Sequence, residues 1–152
     1  MSDTLLRLAL PNASNATLYQ KLNFNFIRDI APVASFASGA LVMVVNPSVP
    51  ARTVPEFIAY AKANPGRISM ASLGIGSGTH LSGELFKMMT GVNMVLVPYR
   101  GDAPALTDLI SGQVQVMFCN TVSSIEHIKA GRLRALAVTT ATRSDALRTC
   151  RP

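Results

Sequence analysis

The chain has 152 residues, 49% hydrophobic and 14% charged, and 14 Lys and Arg against 8 Asp and Glu give it a formal charge of +6. That length suits one domain or slightly more, and the composition excludes a disordered chain. Ten glycines and nine prolines argue against a coiled coil, and no apolar run reaches the ~18 residues of a membrane-spanning helix.

The basic residues are scattered from Arg7 to Arg151 with few aromatics between them, so nucleic acid is not an expected partner. Met1-Ser2-Asp3-Thr4 puts an acid where an export signal carries positive charge, and no signal peptide is expected in this chain. Cys119, Cys150, His80 and His127 show no metal-ligand spacing, so neither a structural zinc nor another metal is expected.

In chain order, Leu5–Leu10 reads as a strand, Pro11–Asn15 as a turn and Ala16–Leu22 as a short helical stretch. Ile30–Ser35 and Leu41–Asn46 are further strand candidates. Thr53 is a suitable N-cap for a helix over Val54–Ala63, with Pro55 and Glu56 in its first turn and Asn64-Pro65-Gly66 at its end. Arg67–Ser72 is a strand and Gly74–Gly78 a loop. Thr79–Thr90 is a helix whose Leu81, Leu85, Phe86 and Met89 share one face, closed by Gly91.

Asn93–Pro98, Gln113–Phe118 and Leu133–Val138 are strands, alternating with helices over Ala103–Ile110 and Ser123–Ala130. This alternation predicts an α/β fold with a mostly parallel sheet flanked by helices. Right-handed crossovers then gather the strand-to-helix loops at one sheet edge, where ligands of such sheets bind.

Three loops stand out. Ser72-Leu73-Gly74-Ile75-Gly76-Ser77-Gly78-Thr79-His80 joins a strand to a helix. Its glycines admit close backbone approach, and the free N–H groups of the helix start suit an anion, a carboxylate or a phosphate. The simpler reading is a tight turn with Thr79 as N-cap. The dinucleotide fingerprint fails because the third glycine comes one residue early, and the Walker pattern fails because no lysine follows.

Ser77 and His80 invite a hydrolase reading, but the G-x-S-x-G elbow is not met. In Tyr99-Arg100-Gly101-Asp102, Gly101 or Asp102 is a candidate cap, Tyr99 a pocket-lining group and Arg100 a carboxylate partner. Asn120 opens the third loop with both a donor and an acceptor, and Cys119 before it reads as a small buried hydrophobe. No general base is placed beside a nucleophile, so binding is favoured over catalysis.

The string Ala71-Ser72 to Phe86, with Val97-Pro98-Tyr99-Arg100-Gly101, Pro104–Leu109, Gly112-Gln113-Val114, His127–Val138 and Asp29–Val33, resembles the extracytoplasmic solute receptors of tripartite tricarboxylate transporters, the Bug or TctC type. The resemblance runs from about Thr4 to Leu147. It implies a type II periplasmic binding protein-like fold: a second ligand-binding lobe over residues 35–140, a remnant of the first lobe and hinge over 1–34, and a truncated tail over 141–152. It also implies a non-enzymatic receptor in the periplasm, without a cofactor, that passes a small mono-, di- or tricarboxylate to membrane transporter subunits.

Carried over by position, the ligand contacts are Ser72, Gly76, Ser77, Gly78, Thr79, His80, Tyr99, Arg100, Gly101 and Asn120, with Asn12 and Ser14 at the first-lobe edge. Cys119 stands where relatives often carry a polar or acidic residue. Leu5–Leu10, without its sheet neighbours, offers pairing to another chain and so a route to a homo-oligomer. The alternatives are a small hydrolase-like enzyme using Ser77 and His80, and an assembly module that no longer binds ligand.

Overall fold

The computed structural model describes residues 14–15, 17–25, 28–31 and 39–140. The strand expected at Leu5–Leu10, most of that at Ile30–Ser35, the candidate contact Asn12 and the tail from 141 lie outside them. Between 39 and 140 the order is β1 (Leu41–Val45), α1 (Val54–Ala63), β2 (Ile68–Ser72), α2 (Gly78–Thr90), β3 (Met94–Pro98), α3 (Asp102–Ser111), β4 (Val116–Asn120), α4 (Thr121–Lys129) and β5 (Arg134–Val138). Residues 14–15 and 17–18 are helical, so the expected helix at Ala16–Leu22 begins and ends earlier.

The strands form one sheet in the order β3-β2-β4-β1-β5. β2 runs parallel to β3 and β4, while β1 lies antiparallel between β4 and β5. The sheet is therefore mixed rather than simply parallel. Four strands share a direction, and β1 is inserted against them, so the β1–α1 connection falls at the edge opposite the other strand-to-helix loops.

Alternation along the strands feeds two cores. Met43, Val45, Met70, Val116 and Phe118 face α1 and α2, where Phe57 and Ala61 are fully buried. Val42, Val44, Ala71, Met117 and Cys119 face α3 and α4 around Ala105, Leu109 and Ile128. Two-residue periodicity sends neighbouring side chains to opposite faces, and the result is a helix–sheet–helix sandwich.

Caps fix the helix ends. The Thr53 hydroxyl accepts from the Glu56 N–H at 3.3 Å, and the Glu56 carboxylate accepts from the Arg52 N–H at 2.7 Å, a reciprocal pair at the start of α1. That hydrogen bond from Arg52 holds the Glu56 carboxyl below its ordinary pKa.

The four residues expected on one face of α2 divide between core and surface. Leu81, Leu85, Met88 and Met89 are exposed, and the helix seats Thr79 and Gly83 against the sheet, with Phe86 in ring contact with Phe57 and Phe118. The cause is Gly83: a Cβ there would stand 2.3 Å from Sδ and Cε of the buried Met70. Gly83→Ala is expected to lose about 1–2 kcal/mol of stability in urea titration. Overpacking a filled site costs more than the about 1 kcal/mol that alanine gains over glycine in a helix.

Candidate functional site

Ser72 pairs with Pro98, and Asn120 with Leu41, so the ends of β2, β3 and β4 come to one edge. The N-termini of α2, α3 and α4 start there. β2 and β4 are neighbours, yet β2 leads to a helix on one face and β4 to a helix on the other. Such a divergence opens a crevice at the strand ends.

The loop after β2 is closed by its own polar groups. Ser77 is the N-cap of α2, and its Oγ accepts from the His80 N–H at 3.2 Å. Ser77 Oγ also donates to the Gly74 carbonyl at 2.7 Å. With that proton used, the 2.9 Å contact between Ser77 and Thr79 has Thr79 as donor. Thr79 Oγ1 accepts from the Leu73 N–H at 2.8 Å. The expected cap at Thr79 is thus Ser77, two residues earlier, and Thr79 is a buried strut. Both hydroxyls are committed to shaping the loop.

Backbone donors are left over. The N–H groups of Gly78 and Thr79, the first two of α2, have no partner among the described residues, because residues at a helix start have no carbonyl one turn back. Gly74 and Gly76 sit at φ +98° and +79°, the left-handed region that glycine enters without strain. Ser72, fully buried at the end of β2, has a hydroxyl without a hydrogen-bond partner.

Ser14 is brought to this loop from 62 residues away. Its hydroxyl donates to the Gly76 carbonyl at 2.9 Å, and Leu18 lies against the same glycine. Ser14, expected as a contact at the first-lobe edge, lies against this loop through that bond.

The second and third loops divide their groups between structure and the crevice. The Tyr99 N–H donates to the Ser72 carbonyl at 2.7 Å, tying this loop to the end of β2. Its hydroxyl donates to Asp108 at 2.7 Å. Burial, followed by the Asp108 carboxylate, pushes the Tyr99 pKa up to about 12. Its hydroxyl is thus engaged with α3, a partner that sequence spacing did not reveal. Gly101 is the N-cap of α3, with extended backbone and no side-chain cap. Arg100 is exposed and unpaired among the described residues.

Asp102 does not cap α3; it accepts from the Ser123 hydroxyl at 3.1 Å and so joins α3 to α4. Asn120, exposed at the N-cap of α4, makes no side-chain cap bond and keeps its amide available at the edge. Cys119 is fully buried and free, as its hydrophobe reading anticipates, and burial pushes its thiol up to about 11.

The site contains no nucleophile–base pair at this loop. The Ser77 proton goes to a backbone carbonyl, and the His80 ring binds the Gly76 N–H instead of Ser77. Among the described residues, the edge presents two unpaired peptide donors, one unpaired guanidinium and one free amide.

This fold, a mixed sheet sandwiched by helices with its loops at one crevice, is that of a periplasmic binding protein-like lobe. The family model described as tripartite tricarboxylate transporter family receptor, TctC, matches residues 3–151, and the chain belongs to that family. BugT of Bordetella pertussis is 36% identical over 134 residues, 88% of this chain and 41% of BugT.

Among solved structures, R. palustris Rpa4515 with adipate is 38% identical with a TM-score of 0.79, covering 87% of this chain and 44% of that one. MatC from Rhodopseudomonas palustris with bound malate is 25% identical with a TM-score of 0.80, covering 88% and 46%. The chain spans less than half the length of these relatives.

Proposed function

We propose that this chain supplies a ligand-binding lobe of a periplasmic solute receptor for small organic carboxylates, working with membrane transporter subunits and performing no catalysis. Residues 35–140 form the lobe, and 1–34 belong to the other lobe and hinge. One observation carries the reading: the Ser77 and Thr79 hydroxyls are spent on the shape of the loop, which leaves the Gly78 and Thr79 N–H groups as preorganised donors at the positive end of a helix dipole.

A ligand carboxylate accepts from these amides, Arg100 adds charge, and Asn120 orients the rest of the molecule. Ser72, Gly76, Ser77, His80, Tyr99 and Gly101 shape that wall, with Ser14 and Asn12 at its first-lobe margin. The adipate and malate named with the relatives Rpa4515 and MatC support a small dicarboxylate as the first ligand to test.

A single lobe grips a ligand weakly, because it lacks the opposing contacts and water exclusion that lobe closure supplies. The test is therefore titration of ¹⁵N-labelled protein with adipate and malate, followed by amide resonances. Shifts are expected at residues 72–80, 99–101 and 120. No response in these three loops at tens of millimolar acid (the weak limit for such contacts) would sink the reading.

Gly78→Pro sharpens the test. Proline is favoured at the first helical position and deletes one unpaired N–H, and Ser77 already has the extended backbone, φ −68° and ψ 159°, that a following proline requires. Affinity is expected to fall about tenfold, the worth of one charge-assisted hydrogen bond, with the melting temperature nearly unchanged.

A further inference from the structure

The bond that closes the ligand loop runs from loop to helix. The Gly76 N–H donates to Nδ1 of His80 at 3.1 Å. A ring nitrogen that accepts carries no proton, so the neutral imidazole is committed to its Nε2–H form. The same glycine's carbonyl accepts from Ser14, so this peptide unit and the next are held from both sides. Gly76 is itself buried at φ +79°, and a Cβ on it would stand 2.5 Å from Leu18 Cδ1.

Nothing else in the loop holds Gly76. Ser77 binds Gly74 and the start of α2, and Thr79 binds Leu73. The residue that bends the chain into the α2 N-cap is therefore anchored at its N–H by the His80 ring four residues later and at its carbonyl by Ser14.

We propose that His80 is the positioning residue of the carboxylate site. Through Nδ1 it holds the Gly76 peptide, and through Gly76 it sets Ser77 as N-cap, which keeps the Gly78 and Thr79 N–H groups unpaired. It acts through the loop and not by contact with the ligand. The consequence for binding rests on the carboxylate reading above; the bond and the ring's proton position rest on the loop geometry alone.

The imidazole answers the second point directly. In the acid-free protein at neutral pH, long-range ¹⁵N–¹H correlations of His80 are expected to show a bare Nδ1 and a protonated Nε2. The Nδ1–H form would overturn the proposal.

Two variants answer the first. His80→Asn puts an amide oxygen on Cγ where Nδ1 stood and keeps an acceptor for Gly76. His80→Leu keeps bulk and loses the acceptor. The Gly76 amide resonance is expected to stay near its parent position in His80→Asn and to move in His80→Leu. Adipate affinity is expected within about threefold of the parent for His80→Asn and about tenfold weaker for His80→Leu, the scale of one lost hydrogen bond.

Equal behaviour of the two variants would overturn the positioning role. The ring and Gly76 signals are read without acid. If the parent chain ignores adipate, those signals still decide His80, and only the carboxylate reading falls.

Discussion

Replacing Phe57 by alanine is expected to remove about 3–5 kcal/mol of stability, the range for deleting a buried aromatic side chain. Phe57 is completely buried in the middle of α1 and is among the largest fully buried side chains. Its ring lies 6.1 Å from Phe86 of α2, which lies 5.8 Å from Phe118 of β4. The three rings, tilted at 51° and 54°, are the joint between α1, α2 and the sheet.

Around them stand Met43, Val45, Ile68, Met70 and Val116, all at most 2% exposed, so the vacated volume cannot fill without moving the sheet. For a domain with about 5–15 kcal/mol of total stability, this loss is a large share. Urea titration by circular dichroism is the measurement. A midpoint near that of the parent would mean that α1 is not docked as described. Because α2 begins at the ligand loop, the same variant is expected to broaden the amide resonances of Gly78 and Thr79.

The second large effect is expected at Asn46, the residue after β1. It is 7% exposed, and its Nδ2 donates to the carbonyls of Leu109 at 2.7 Å and Ile110 at 3.0 Å, while its Oδ1 accepts from the Ser48 N–H at 2.8 Å. Leu109 and Ile110 are in the last turn of α3; the Leu109 carbonyl also accepts from the Gly112 N–H at 3.3 Å, while that of Ile110 has no other partner among the described residues. One side chain thus binds two carbonyls of the helix end and a turn donor.

Asn46→Leu keeps similar volume and strands the Ile110 carbonyl and the Ser48 N–H, and the expected loss is about 2–4 kcal/mol, since each buried unpaired polar group costs about 1–3 kcal/mol. A shift of the denaturation midpoint at unchanged slope would confirm a stability effect, whereas a loss below about 0.5 kcal/mol would show these carbonyls to be solvated. Its effect reaches the site through α3, whose other end carries the Tyr99-Arg100-Gly101 loop.

The expected strands and helices over 41–138 all have counterparts, with ends displaced by a few residues. Punctuation made them legible: Thr53 with Pro55 and Glu56 at one helix start, and Gly91, Gly112 and Gly131 in positive-φ turns at or just after helix ends. The glycine loop was legible because a strand end, glycines, a hydroxyl cap and a helix start are consecutive in the chain. The TctC resemblance was carried by several such short strings in fixed order.

Other features depend on partners distant in sequence. Antiparallel β1 is one, because strand direction follows from which neighbours meet and short apolar runs such as Leu41–Val45 are the same in either sense. The outward face of α2 is another. Helical periodicity put Leu81, Leu85, Phe86 and Met89 on one face, yet Phe86 packs on the core while the close approach of Gly83 to Met70 leaves the other three at the surface.

The ownership of each polar group was decided in the same way. Tyr99 goes to Asp108, Asp102 to Ser123, Ser14 to Gly76 and Asn46 to the end of α3. The sequence by itself determined the element order, the family and the loop that bears free peptide hydrogens, since each of these is written in residues adjacent along the chain. Only the tertiary structure decided which hydroxyls and rings are used up in building that loop, because a hydrogen bond is settled by distance in space, to a few tenths of an ångström, and sequence separation does not encode it.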